Sequence, residues 1–115
     1  TIDHAIEYTK ANFSSVVERW PDKPVVITEA GWTTRSNGRG MEPWNASQEL
    51  QAMYFAGLME WTRAEHVLTF VFEAFDEPWK GSPDPDEPEK HWGLFNIERE
   101  PKLVMRDLYA ELVPD

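Results

Sequence analysis

The amino-acid sequence predicts an α/β fold in which parallel strands alternate with helices. Two short runs rich in β-branched residues, at positions 25–28 and 67–72, are apolar on both faces, as is typical of strands buried in a parallel sheet. Helical spacing of apolar residues before, between and after these runs gives the order helix, strand, helix, strand, helix. Two strands cannot close a barrel, and an eight-stranded α/β barrel needs about 250 residues. We therefore expect the chain to be the end of a larger α/β barrel.

Three helices are predicted from apolar residues that recur at helical spacing. The first covers residues 2–18 and ends near Trp20, because the proline that follows disfavours helical geometry in the residue before it. The second begins at Asn45, which with Gln48 has the spacing of a capping box. The third begins at Pro101. The second helix carries an apolar stripe that is typical of a core face: Leu50, Met53, Tyr54, Gly57, Leu58 and Trp61.

The composition excludes several classes of partner. The 115 residues include 11 Lys and Arg against 21 Asp and Glu, a formal net charge of -10 that argues against binding to nucleic acid or an anionic membrane. No apolar run approaches the roughly 20 residues of a membrane span. The chain has no Cys, and its three His residues lack ligand spacing to one another, so we expect no metal and no other cofactor.

Carboxylates and tryptophans follow both predicted strands. Glu29 and Trp32 come directly after the first run, and Glu77 and Trp79 come after the second. In parallel α/β folds the functional loops follow the carboxyl ends of the strands. Carboxylates that act at an anomeric carbon, beside aromatic rings that stack on sugars, are typical of carbohydrate sites. From the residues alone, Glu29 with Glu77 is the candidate pair, and a solvated or structural role for a single Glu stays open.

Two segments resemble the signatures of a known family. Residues 25–32, Val-Val-Ile-Thr-Glu-Ala-Gly-Trp, resemble the strand-seven signature of glycoside hydrolase family 17, the β-1,3-glucanases and related glucan transglycosylases. Residues 70–80, Phe-Val-Phe-Glu-Ala-Phe-Asp-Glu-Pro-Trp-Lys, and residues 89–95, Glu-Lys-His-Trp-Gly-Leu-Phe, are similar to its strand-eight signature. Thr33 departs from the family, which normally has Pro there. The resemblance implies that residues 1–115 are the C-terminal portion of a (β/α)8 TIM barrel, with strands seven and eight and their flanking helices.

The resemblance also implies roles for individual residues. Glu29 matches the catalytic nucleophile, and a supporting charge network matches three further residues: Glu77, Lys80 and Glu89. The family's acid/base Glu lies at the end of strand four, and nothing before residue 25 resembles that strand. Four aromatic residues are expected to bind the substrate: Trp32, Phe75, Trp79 and Trp92.

The expected function is that of a retaining glycoside hydrolase that acts on β-1,3-glucan as an endo- or exo-glucanase. The chain is expected to carry the nucleophile without the acid/base and to be inactive alone. Three alternatives are a glucan transglycosylase, a non-catalytic glucan-binding module, and a complete small enzyme with Glu77 or Glu73 as the acid. The expected partner is a β-glucan oligo- or polysaccharide, and the family implies an extracellular, periplasmic or cell-surface location.

Overall fold

The computed structural model describes residues 1–115 and contains three α-helices and two β-strands in the predicted order. The elements are α1 (Ile2–Arg19), β1 (Ile27–Ala30), α2 (Gln48–Ala64), β2 (Thr69–Val71) and α3 (Leu103–Leu108). Short 3-10 helices lie at Pro43–Asn45, Pro88–Lys90 and Ala110–Leu112. None of the helices combines the length and the apolar character needed to cross a bilayer.

Hydroxyl caps fix the beginnings of the first two helices, and one predicted cap is wrong. Thr1 Oγ1 accepts a hydrogen bond from the backbone N–H of His4 at 3.2 Å and caps α1. Asn45, the predicted cap of α2, instead ends a 3-10 helix. The cap is Ser47, whose Oγ accepts from the backbone N–H of Leu50 at 3.1 Å. The capping box therefore fails because the chain makes another short turn before the helix begins.

The two strands pair in parallel with an irregular register. Ile27 pairs with Thr69 and Ala30 pairs with Val71, so β1 has one residue more than β2 between the two pairs. The irregularity lies around Glu29, the candidate nucleophile. Bulges of this kind occur beside active sites, where they redirect a side chain.

The strands are shorter and more exposed than predicted. The run at positions 67–72 forms a strand of three residues, because the backbone N–H of Val67 donates to the carbonyl of Thr62 in α2 rather than to β1. The prediction that the run at positions 25–28 is buried on both faces is wrong, since Val26 is exposed, and Leu68 and Phe70 of the second run are exposed as well. Two strands leave both edges of the sheet without a neighbour, which explains the exposure.

The core is centred on α2, which packs against α1 and α3. Phe55 and Leu58 are 1% and 0% exposed. Tyr54 connects this core to the residues after β1, since its ring centre lies 5.6 Å from that of Phe55 and 5.3 Å from that of Trp32. The core of α2 therefore extends to the end of the sheet where the candidate site lies.

Candidate active site

Two loops that follow the strands carry most of the candidate residues. We call residues 31–42 the β1 loop and residues 72–93 the β2 loop. They begin side by side, because the backbone N–H of Phe72 donates to the carbonyl of Ala30 at 2.7 Å. The carbonyl of Phe72 occupies the space that a Cβ at position 31 would need, so Gly31 is the residue that fits there. Parallel pairing thus brings both loops to one end of the sheet.

Glu29 lies at the carboxyl end of β1 with its side chain exposed to solvent. It lines a groove of about 370 Å³ between α1 and β1, together with Tyr8, Phe13 and Tyr54. The ion pairs within the chain do not include this carboxylate. An exposed carboxylate beside aromatic rings is available to a sugar substrate.

Lys80 pairs with two carboxylates of the β2 loop. Its Nζ lies 3.3 Å from Glu73 Oε2 and also forms an ion pair with Glu77. Burial and the hydrogen bond with Glu77 raise the pKa of Glu73. Hydrogen bonds with Lys80 and Glu73 lower the pKa of Glu77, and the hydrogen bond with Glu77 raises the pKa of Lys80. The cluster therefore divides its carboxylates into one that ionises readily and one that ionises with more difficulty.

The predicted charge network is assembled in part. The structure brings Glu77 and Lys80 together and adds Glu73, which the resemblance did not include. Glu89, the third predicted member, is exposed in a 3-10 helix and forms no ion pair with Lys80. It lines a separate groove that also contains Arg39. The sequence indicated Glu73 only as an alternative acid, from its place directly after the second apolar run.

Trp32 and Trp92 are held in place near the beginnings of the loops. Trp32 Nε1 donates to the carbonyl of Asn45 at 2.8 Å, and its ring packs on Tyr54. The ring of Trp92 meets Phe72 edge to face, with centres 6.1 Å apart. Both tryptophans are half-buried. Each ring is thus fixed on one side by the chain and partly open on another, as a stacking residue needs to be.

Trp79 and Phe75, the other two predicted aromatic contacts, have different surroundings. Trp79 is 73% exposed and lines a cavity of about 560 Å³ with Arg35 and Ile97. Phe75 is covered by the guanidinium of Arg99, which lies 3.8 Å from its ring centre. Trp79 is therefore free to stack on a ligand, whereas Phe75 already has a cation over one face.

A buried ion pair joins Lys102 and Asp76, to which the sequence pattern assigns no role. Lys102 Nζ lies 2.7 Å from Asp76 Oδ1, and the two side chains are 4% and 8% exposed. Burial opposes ionisation of Asp76, but the nearby His91 ring and the hydrogen bond from Lys102 lower its pKa overall. Burial lowers the pKa of Lys102. The available signal was the position of Lys102 at the start of α3, where a cation is unfavourable without an acidic partner.

Lys90 is a second buried lysine that the sequence pattern does not indicate. Its Nζ donates to the carbonyl of Pro78 at 2.9 Å and to the carbonyl of Lys80 at 2.5 Å. These bonds fold the β2 loop back onto the backbone that carries the Lys80 side chain. No group of three or more His, Asp or Glu side chains is arranged to hold a metal ion.

The fold places the chain in the class of glycoside hydrolase folds, as the solved structures show. The chain matches an endo-laminarinase from Formosa with a TM-score of 0.85 and 33% identity, over 96% of this chain and 30% of that one. It matches an active-site mutant of the Rhizomucor miehei β-1,3-glucanosyltransferase, solved in complex with laminaritriose, with a TM-score of 0.76 and 27% identity. That match covers 90% of this chain and 36% of the other.

The chain belongs to glycosyl hydrolases family 17, whose model matches residues 20–106. A relative, the glucan 1,3-beta-glucosidase of Arthroderma benhamiae, is 34% identical over 83 residues, which are 69% of this chain and 27% of that protein. The chain thus spans about a quarter of the length of this curated relative. The family resemblance carried by the two strand signatures is confirmed.

Proposed function

We propose that this chain is the C-terminal part of a retaining glycoside hydrolase that acts on β-1,3-glucan, and that Glu29 is its nucleophile. The observation that carries the proposal is the position of Glu29, an exposed carboxylate at the carboxyl end of a strand that lies within the family match. The names of the relatives, glucan 1,3-beta-glucosidase, endo-laminarinase and β-1,3-glucanosyltransferase, support β-1,3-glucan as the substrate.

In the proposed reaction a carboxylate oxygen of Glu29 attacks the anomeric carbon, and the bond from that carbon to the leaving oxygen breaks. The covalent glycosyl-enzyme that forms is then attacked by water, which releases the sugar with retained configuration. The relatives named as a glucosidase and a laminarinase support hydrolysis. The relative named as a glucanosyltransferase supports the alternative in which a sugar hydroxyl replaces water.

In this proposal the proton for the leaving oxygen comes from a Glu on strand four, outside residues 1–115. Glu77 is a poor donor because its hydrogen bond with Lys80 lowers its pKa. Glu73 is the second candidate, since burial raises its pKa, as general acid catalysis requires. A complete small enzyme built on Glu29 and Glu73 is therefore the alternative to a larger barrel.

The proposal makes β1 and β2 strands seven and eight of the barrel. The chain spans 30% of the endo-laminarinase that it matches, which supports a part rather than the whole of such a domain. The exposed apolar side chains of Val26, Leu68 and Phe70 fit strands that pack against further strands. An enzyme with a polysaccharide substrate would act outside the cytoplasm, so we extend the proposal to an extracellular, periplasmic or cell-surface location.

Substitution of Glu29 in the full-length polypeptide that contains these residues tests the proposal. Glu29→Gln should lower the turnover of laminarin by several orders of magnitude, because the amide cannot act as the nucleophile. Azide should rescue Glu29→Ala and yield a glycosyl azide of inverted configuration. Glu18→Gln, which changes an exposed carboxylate on α1, is the matched control and should keep wild-type turnover. Full activity of Glu29→Gln would contradict the assignment.

Expression of residues 1–115 alone separates the two sources of the proton. Without the Glu of strand four we expect no reducing-sugar release from laminarin, since general acid catalysis contributes about 10²–10⁴-fold. Hydrolysis by the isolated chain that is lost in Glu73→Gln would instead support the complete small enzyme.

A further inference from the structure

We infer that Lys102 is a positioning residue that fixes the spacing between the β1 loop and the β2 loop, and with it the placement of Trp32 and Trp92. The inference rests on the proposed function, because these two rings are predicted to contact the glucan. Lys102 acts through other residues and does not itself take part in the chemistry.

Lys102 contacts three separate parts of the site through one ammonium group. Its Nζ donates to Asp76 Oδ1 at 2.7 Å, to Thr34 Oγ1 at 2.9 Å and to the carbonyl of His91 at 3.2 Å. Thr34 belongs to the β1 loop, and the other two belong to opposite ends of the β2 loop. Three acceptors satisfy the three N–H donors of the ammonium, so its orientation is fixed.

Each of these contacts lies close in sequence to a residue of the candidate site. Thr34 follows Trp32 by two positions, His91 directly precedes Trp92, and Asp76 directly precedes Glu77. Asp76 Oδ1 also accepts the backbone N–H of Gly93 at 2.9 Å, so the backbone is held on both sides of Trp92. Loss of Lys102 would therefore loosen the backbone beside both stacking rings.

Gln51 joins the same two loops from α2. Its side chain is fully buried on α2, and its Nε2 donates to the carbonyl of Trp32 at 3.0 Å and to the carbonyl of Gly93 at 3.1 Å. Lys102 and Gln51 thus bridge the loops independently, one from the beginning of α3 and one from α2. These side chains add to a direct hydrogen bond between the loops, from the backbone N–H of Thr34 to the carbonyl of His91 at 3.0 Å. Several bonds between the same segments favour a role in spacing over an isolated ion pair.

Stability alone gives a weak reason for a lysine at position 102. A buried ion pair is commonly no more stable than apolar side chains of similar size, because both charges lose their hydration. Lys102 also lies at the beginning of α3, where the helix dipole disfavours a cation. Fixed geometry between the loops is the property that apolar packing would not supply.

A pair of Thr→Val substitutions in the full-length polypeptide tests the inference. Thr34→Val removes the hydroxyl that accepts from Lys102 and donates to the carbonyl of His91, but it leaves the Lys102–Asp76 pair and the backbone hydrogen bond from Thr34 to His91, so the protein should fold. Thr62→Val makes the same chemical change at a buried site on α2, where the hydroxyl reaches only the carbonyl of Met59 at 3.4 Å. Amide hydrogen exchange of Gly93, and KM and kcat for laminaritriose, are then measured for both variants.

Thr34→Val should speed exchange at Gly93 and raise KM by about threefold to tenfold, because Oγ1 no longer bonds to Lys102 or to the carbonyl of His91, with little change in kcat. Thr62→Val should change neither. Lys102→Met should have a larger effect in the same direction, and Lys102→Arg should restore part of it because the cation is kept. Identical exchange and KM in Thr34→Val and Thr62→Val would overturn the inference. An inactive wild-type protein would contradict the proposed function, while the exchange comparison would still decide whether the bridge holds the loops.

Discussion

The loops at the carboxyl end of the sheet bury charged groups, whereas the strands beneath them leave apolar side chains exposed. Four charged residues of the β2 loop and of the beginning of α3 are at most 8% exposed: Asp76, Glu87, Lys90 and Lys102. In contrast, Leu68 and Phe70 of the second strand region are 61% and 56% exposed. In most proteins charged side chains are exposed and apolar side chains are buried. The loops depart from this by burying charged groups, and the strands depart from it by exposing apolar groups.

The difference in burial between the loops and the strands indicates which parts of the structure are stabilised by contacts within the 115 residues. The buried charges of the loops find their partners within the chain: Lys90 in the carbonyls of its own loop, and Lys102 in Asp76 and Thr34. The strands find no cover for their apolar side chains. This contrast supports the proposal that the sheet is completed by further strands, while the buried charges of the loops are already paired within residues 1–115.

The largest change in stability is expected for a substitution in the core, compared with the same kind of substitution on the exposed strand. Phe55→Ala should destabilise residues 1–115 by about 4 kcal/mol, because it opens a cavity beside a fully packed helix. Phe70→Ala should change the stability of the same chain by no more than about 0.5 kcal/mol, since the ring is exposed. Urea unfolding measures both. In a completed barrel Phe70→Ala should lower the free energy of unfolding by about 3 kcal/mol. An effect in the barrel as small as in residues 1–115 would contradict the idea that further strands cover Phe70.

The next effect concerns the buried charges of the loops. Asp76→Asn should destabilise the protein by about 3 kcal/mol near neutral pH, because it leaves the ammonium of Lys102 buried without its carboxylate. The folded pKa of Asp76 is lower than its usual value of 3.8, so its contribution is complete above that value and is lost as the pH falls through the folded pKa.

Stability measured by urea unfolding at a series of pH values should therefore show that wild-type and Asp76→Asn proteins differ most above pH 3.8 and converge below it. A difference that stays constant down to the most acidic pH would mean that ionisation of Asp76 does not stabilise the loops.

Two tryptophans provide a smaller test of the same contrast between fixed and free side chains. Trp79→Ala should weaken glucan binding by about 1 kcal/mol and leave stability within about 0.5 kcal/mol, because the ring is exposed. Trp32→Ala should lower both glucan affinity and stability, since the Trp32 ring packs on Tyr54 and its Nε1 donates to the carbonyl of Asn45. Thermal melting and calorimetric titration with laminaritriose give the two readouts. Equal loss of stability in both variants would contradict the different roles.

The smallest expected effect is electrostatic. Lys80→Met should raise the pKa of Glu77, because the hydrogen bond from Lys80 is the main cause of its low value. The acidic limb of the pH–rate profile should move upward if this carboxylate must be ionised for activity. Lys10→Met, which removes an exposed ion pair to Glu7, is the control and should leave the profile unchanged. A profile that moves equally in both variants would exclude a specific role for Lys80.

The order of the elements could be predicted from the sequence because it depends on local patterns. The apolar stripe of α2 and the β-branched run before Glu29 are each contained in fewer than 20 residues, and they form a helix and part of a strand, as predicted. The predicted beginning of α2 was less accurate. Asn45 and Ser47 are both residue types that cap helices well, and the 3-10 helix that ends at Asn45 moves the cap to Ser47. The signature around Glu29 also led to the family, which the comparisons confirm.

The buried part of the site could not be predicted, because it depends on residues far apart in the chain. Lys102 meets Asp76 across 26 positions and Thr34 across 68, after the chain has reversed direction more than once. No periodic pattern connects such residues. The exposure of Phe70 was also missed, since an apolar run shows that a strand favours burial but not whether its neighbours are present.

Covalent trapping of the glycosyl-enzyme tests whether Glu29 is the nucleophile. The full-length polypeptide is incubated with a 2-deoxy-2-fluoro laminaribiosyl fluoride, which slows release of the glycosyl-enzyme, and is then digested and analysed by mass spectrometry. We expect one added glycosyl group, on the peptide that contains Glu29, and no label in Glu29→Gln. A label on Glu73 or Glu77 in active protein, or hydrolysis with inverted configuration and no label, would contradict it.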